Sequence, residues 1–222
     1  MNTTLSRHSS SNQTISLLLL CALLVGTQGC GGKDQTPNVG ANQTAEATMP
    51  AEAQNADNVD GAELAGTCVA CHGDKGLSQN PLWPNLAGQK KGYLAAQINA
   101  FRNGGREEPT MAPFVSGLSD AQVDALATYF SELPPAAATD AGAANKDGMN
   151  VRANCISCHG VEGISVNQQW PNLAGQKNEY LAKQLHAYRD GSRVHALMNV
   201  IASELTDQQM TDVAEYYSQL AK

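Results

Sequence analysis

Two short patterns carry the chemistry in this sequence: Cys68-Val-Ala-Cys71-His72 and Cys155-Ile-Ser-Cys158-His159. Each sets two thiols on one turn of chain with an imidazole directly after the second. C-x-x-C-H is the spacing of c-type haem attachment, in which the thiols form thioethers with two vinyl groups and the histidine reaches the iron. Three other uses of the same residues fit less well. As disulfides, the C-x-x-C pairs would close tight loops that constrain almost nothing. A thioredoxin-like redox pair belongs in a βαβ setting, and no such pattern is present. A shared zinc site would have to join cysteine pairs 84 residues apart that belong to separate repeats. Two complete motifs therefore predict two covalently bound haem c groups, held through Cys68, Cys71, Cys155 and Cys158, with His72 and His159 on the irons.

What such irons do depends on the other axial position. An open position binds oxygen or peroxide, whereas an iron closed by methionine exchanges electrons, usually at raised potential. Met111 and Met198 each lie 40 residues beyond the last cysteine of their motif, and each precedes a capped helix by the same distance. These two are read as the second axial ligands. Met210 corresponds to Val123 on an apolar stripe and reads as core, Met149 corresponds to Ala62, and Met49 lies in a polar stretch. His186 and His195 compete in the second half, but their counterparts are Asn99 and Glu108, neither of which can replace a histidine on iron. Both read as surface or helix-face residues, with bis-histidine ligation of the second site as the open alternative.

The elements that must position these groups also come in two copies. Twelve motif residues from Cys68 to Tyr129 recur from Cys155 to Tyr216 at a constant separation of 87 positions, and the octet Trp83 to Lys90 returns unchanged as Trp170 to Lys177. A repeat this long is a duplicated domain, since solenoid units run to about 20–50 residues and need three or more copies. The expected fold is all-α, with domain 1 over residues 57–134, a linker over 135–146 and domain 2 over 147–222. Asp60-Gly61 and Asp147-Gly148 are expected to open a short helix leading into each cysteine pair. Leu94, Ile98 and Phe101 lie at i, i+4 and i+7, as do Leu181, Leu185 and Tyr188, and so mark one apolar stripe of a helix. Ser119 to Gln122 and Thr206 to Gln209 read as capping boxes. After them, Val123, Leu126, Ala127 and Phe130, mirrored by Met210, Val213, Ala214 and Tyr217, form the buried face of a last helix. A domain of about 75 residues is marginal without help, and only 5% of the chain is aromatic. The macrocycle would supply the missing core.

Residues 1–29 read as a secretory signal: Arg7 comes before any acidic residue, and Ile15 to Val25 is an apolar run of about eleven, short of the ~20 needed to span a membrane. The run ends in Gly29-Cys30, which resembles a bacterial lipobox with Thr27 where leucine is usual, so Cys30 is the expected lipidation site and membrane anchor. Residues 30–56, rich in Ala, Asn, Gln, Thr and Gly, cannot bury a core and read as a flexible tether. A net charge of -7 argues against nucleic acid as a partner, which would need a basic surface.

Taken together, C-x-x-C-H, Trp-Pro-Asn-Leu-Ala-Gly-Gln, Tyr-Leu-x-x-Gln, Phe/Tyr-Arg-x-Gly and a Met ahead of Leu-Ser/Thr-Asp, each present twice, resemble the dihaem cytochrome c4 family over about residues 60–221. The resemblance implies two class I cytochrome c folds about a pseudo-twofold axis, with propionates near the domain interface. It implies an electron-transfer protein rather than an enzyme, working in the periplasm of a Gram-negative bacterium and feeding a terminal oxidase. Its partners would be redox proteins: a membrane oxidase or reductase complex, or another periplasmic carrier. By the same likeness, the carbonyls of Pro84 and Pro171 hold the axial histidines through Nδ1, and Leu86 and Leu173 pack on the haem planes. Trp83 and Trp170 could hydrogen-bond a propionate or serve as packing. Arg102 and Arg189 could neutralise propionates or serve the helix dipole, and Tyr93 and Tyr180 are similar. Two other functions compete: a haem-bearing, electron-accepting subunit of a dehydrogenase, and a dihaem peroxidase, which two methionine-sealed irons disfavour.

Overall fold

The structure, a computed structural model, describes residues 59–137 and 145–220, all within one compact unit, Thr48–Lys222. The expected signal segment 1–29, Cys30, the tether over 30–56 and linker residues 138–144 lie outside the described residues. The first half runs through α1 (Gly61–Leu64), a 3-10 turn (Ala65–Thr67), α2 (Val69–His72), α3 (Lys91–Arg102), α4 (Ala112–Val115) and α5 (Asp120–Glu132). The second runs through α6 (Lys146–Val151), a 3-10 turn (Arg152–Asn154), α7 (Ile156–His159), α8 (Asn178–Asp190), α9 (Ala196–Ser203) and α10 (Asp207–Gln219). Among the described residues there is no strand.

Both capping boxes form. Ser119 and Thr206 accept from the backbone N–H of Gln122 and Gln209, whose side chains reach back to the cap N–H, and this fixes where α5 and α10 begin. The stripes behind the caps are buried: Val123, Leu126, Ala127 and Phe130 in α5, and Met210, Val213, Ala214 and Tyr217 in α10. Leu94 and Leu181 close the two cores from α3 and α8. Met210 is fully buried beside Ala202 and Leu205, as its register with Val123 requires.

The halves differ at two places. Asp60 caps α1 as expected, but Asn145 caps α6 and accepts from the N–H of Gly148, so Asp147 falls in the first turn rather than at the start. Asn145 wins because its side chain also bonds Asp212 and Glu215 of α10. The second difference is in α4 and α9, which the periodicity does not reveal. α9 has 8 residues and α4 only 4. Pro113 and Gly117 stand in the first half where the second has Val200 and Glu204, and a proline and a glycine shorten a helix.

The short opening helices cross the closing ones at backbone contact. A Cβ at Gly61 would collide with the carbonyl of Ala125, and one at Gly148 with the carbonyl of Asp212. Gly148→Ala is therefore expected to cost about 1–3 kcal/mol by overpacking. The measurement is the urea midpoint of the holoprotein, and an unchanged midpoint would contradict this packing.

The two halves meet through the unchanged octet. The N–H of Asn85 donates to Gln176 Oε1 at 2.7 Å and that of Asn172 to Gln89 Oε1 at 2.8 Å. Gln176 Nε2 and Gln89 Nε2 return bonds to the carbonyls of Asn85 and Asn172, both at 2.9 Å. Asn85 Nδ2 and Asn172 Nδ2 donate to the carbonyls of Gly175 and Gly88, both at 3.0 Å. All four side chains are buried. Each bond contributes about 1 kcal/mol net, while leaving one of these groups unpaired costs about 1–3 kcal/mol, so the register of the two domains is tightly specified.

Candidate functional site

Each cysteine pair sits on a single turn whose exit is forced. Gly73 and Gly160 follow the histidines at φ +81° and +83°, where a Cβ would strike the carbonyls of Leu77 and Ile164. Only glycine turns the chain there. Behind the turn, Ser78 Oγ and Ser165 Oγ donate to the carbonyls of Cys71 and Cys158 at 3.3 and 2.9 Å. Leu86 and Leu173 donate their N–H groups to the carbonyls of Gly76 and Gly163, both at 2.8 Å, and so draw the Trp-Pro-Asn-Leu loop across.

That loop presents a carbonyl to each histidine. His72 Nδ1 lies 2.9 Å from the carbonyl of Pro84, and His159 Nδ1 lies 2.8 Å from that of Pro171. A carbonyl can only accept, so Nδ1 carries the proton and the Nε2 lone pair is free. Burial pushes both imidazole pKa values down, opposed by the proline carbonyls, and the rings stay neutral as metal ligation requires. Burial likewise raises the Cys68 thiol, and pushes the Cys155 thiol up to about 11 with the Tyr217 hydroxyl pulling the other way. Among the described residues, Cys68, Cys71, Cys155 and Cys158 form no disulfide.

A cavity of about 910 Å³ runs along both domains and brings the expected groups together. Cys68, Cys71, His72 and Met111 line it from the first half, and Cys155, Cys158, His159 and Met198 from the second. Trp83, Trp170, Pro84, Pro171, Leu86 and Leu173 line it as well. Its volume is at the upper end of ligand sites, roughly 300–1,000 Å³. Thiols, a neutral imidazole with an open nitrogen and a thioether along one apolar cavity are the donor set that haem c takes. Among the described residues, no three His, Cys, Asp or Glu side chains come together as a metal cluster would need.

Other residues are placed differently. Arg102 and Arg189 do not line the cavity. Arg102 donates to the carbonyl of Leu118 at 2.8 Å and to Asp120 at 2.6 Å, and Arg189 pairs with Asp207 and Asp190, so each ties a long helix to the start of the last one. His186 sits in the Arg189 cluster. His195, expected on a surface or helix face, is exposed but also borders the cavity, where its Nδ1 caps α9 by accepting from the N–H of Met198 at 3.4 Å. Neither indole N–H of Trp83 or Trp170 bonds a described residue.

Sequence reasoning passed over a second pair of arginines. Arg106 and Arg193 do line the cavity. Arg106 donates to Gln97 and Gln184, both at 2.7 Å, and to the Tyr180 hydroxyl at 3.2 Å. Arg193 donates to Gln184 at 2.7 Å, to Gln97 at 2.8 Å and to the Tyr93 hydroxyl at 2.9 Å. Burial disfavours the Tyr180 phenolate, yet the two guanidiniums outweigh it and hold its pKa below the usual phenol value. The available signal was that all six residues repeat at the 87-position spacing.

The cytochrome c family model matches residues 58–134 and again 146–221. The thiosulfate dehydrogenase electron acceptor of Thiomonas intermedia is 38% identical over 169 residues, covering 68% of this chain and 77% of that protein. The solved structure of Acidithiobacillus ferrooxidans cytochrome c4 aligns at 35% identity and a TM-score of 0.65, covering 70% of this chain and 99% of that one. Thiosulfate dehydrogenase from Marichromatium purpuratum aligns at 31% identity and a TM-score of 0.63, covering 69% of this chain but 36% of that longer one. With both halves matched to one family and the whole length of a two-domain relative retraced, the chain belongs to the cytochrome c family as a dihaem cytochrome c4 protein, an all-α electron carrier with covalently bound haem c in each domain.

Proposed function

We propose that this chain relays single electrons in the periplasm of a Gram-negative bacterium, from a periplasmic or membrane-bound donor to a terminal oxidase or another acceptor. Cys68 and Cys71, with Cys155 and Cys158, make the thioethers. His72 and Met111 ligate one iron, and His159 and Met198 the other. The observation that carries this reading is the doubling of one donor set along a single cavity: two sites of one chemistry suit a relay, whereas a peroxidase needs an iron left open. A second reading has a specific support. One relative is named an electron acceptor of thiosulfate dehydrogenase, and a thiosulfate dehydrogenase chain contains a matching portion, so this chain could serve one dehydrogenase as its fixed acceptor. Isolation from membranes in mild detergent separates the two. A dehydrogenase recovered in equal amount supports the fixed acceptor, and a chain recovered alone that is reduced by several donors supports the relay.

We further propose that Cys30 anchors the chain through lipid. Wild-type protein is then expected in the membrane fraction, and Cys30→Ser in the soluble periplasmic fraction or blocked in maturation. Native protein found wholly in the soluble extract would remove the anchor from the proposal.

A further inference from the structure

The cavity wall holds two positive charges that the protein does not neutralise. Gln97 Oε1 and Gln184 Oε1 each accept from both Arg106 and Arg193, so the two guanidiniums share one pair of amide oxygens across the domain interface. Arg193 is only 7% exposed. Among the described residues neither arginine has a carboxylate within ion-pair distance; the nearby acid Glu108 pairs instead with Lys183 at 3.1 Å. A buried cation without a counter-charge is expensive, and two like charges held together are more so. Each guanidinium has five N–H donors. The bonds described use Nη1 once and Nη2 twice, which leaves Nε–H and one Nη1–H of each free. The anion that belongs here must lie in the cavity that both arginines line, and haem carries two carboxylates.

We propose that Arg106 and Arg193 form one shared cationic site for the ionised propionates of both haems, so that each arginine sets the potential of the haem in the opposite domain as well as its own. A positive charge beside a haem favours the reduced state, which carries one charge less. Removing either arginine therefore lowers both potentials. The ring also couples the halves chemically: Arg106 bonds Tyr180 and Gln184 of domain 2, and Arg193 bonds Tyr93 and Gln97 of domain 1.

The test is a spectroelectrochemical titration of Arg106→Gln, Arg193→Gln and the matching lysine variants, in full-length protein shown by pyridine haemochrome to carry two haems. Both one-electron steps are expected to fall in each glutamine variant. The expected shift is about tenfold in the reduced-to-oxidised ratio, or about 59 mV per step, and lysine should restore most of it. Arg106 is only partly buried, so its variant carries the test if Arg193→Gln does not fold. Two unmoved steps would overturn the proposal. So would a shift confined to one haem, which would give each arginine to a single domain. Wild-type potentials that moved when inorganic phosphate was added at constant ionic strength would also overturn it, because the site would then be open to a free anion.

Discussion

Met198→Ala is expected to remove about half of the weak far-red sulfur-to-iron charge-transfer absorption of the oxidised protein and to let one equivalent of carbon monoxide bind per chain. Met111→Ala should do the same at the other haem, and each should lower one potential, since methionine raises it. The control is Met210→Ala. That side chain is fully buried among Ala202 and Leu205, so the variant should lose about 2–5 kcal/mol of stability and keep the whole band. Carbon monoxide bound stoichiometrically by wild type would mean that an iron is open and would revive the peroxidase reading. A second haem unchanged in Met198→Ala would move ligation to His195, which borders the cavity three residues away.

Replacing Cys68 and Cys71 together by alanine is expected to halve the covalent haem and to unfold domain 1. The buried cluster there consists of Ala65, Leu94, Leu126, Ala127 and Phe130, which is little for about 75 residues. Leu86, Ile98 and Leu118 pack on its edge and also line the cavity, so without the macrocycle they face water. Limited proteolysis should cut within residues 59–134 while the second domain keeps its haem. Two haems per chain in the double variant, measured by pyridine haemochrome, would contradict the attachment at these thiols.

The parts of this molecule legible in the sequence were the local and the repeated ones. The cysteine turns, the capping boxes at Ser119 and Thr206 and the stripes of α5 and α10 depend on neighbours within a few positions, so their spacing states them. The arginines show the limit. Arg102 and Arg189 stood out because they close a long helix before a glycine, yet they bond Asp120 and Asp207. The cavity-facing pair lies four residues further on, past the turn at Gly104 and Gly191, and bonds side chains of the other domain. No periodicity records a contact between domains. α4 and α9 escaped for a simpler reason: an element of 4 or 8 residues around Pro113 or Asn199 is too short to establish an apolar period.

The pairing of Asn85 with Gln176 and of Asn172 with Gln89 has one more consequence. Each copy offers the same asparagine and glutamine and receives the same pair in return, which is the isologous pattern of a symmetric homodimer. Two separate single-domain proteins with this octet could associate in the same way. Joining them in one chain turns that encounter into an intramolecular one, with an effective concentration of order mM for a short connection. The amide bonds between the two octets can then hold the pair together at any dilution, and the two domains need never compete with solution partners for each other.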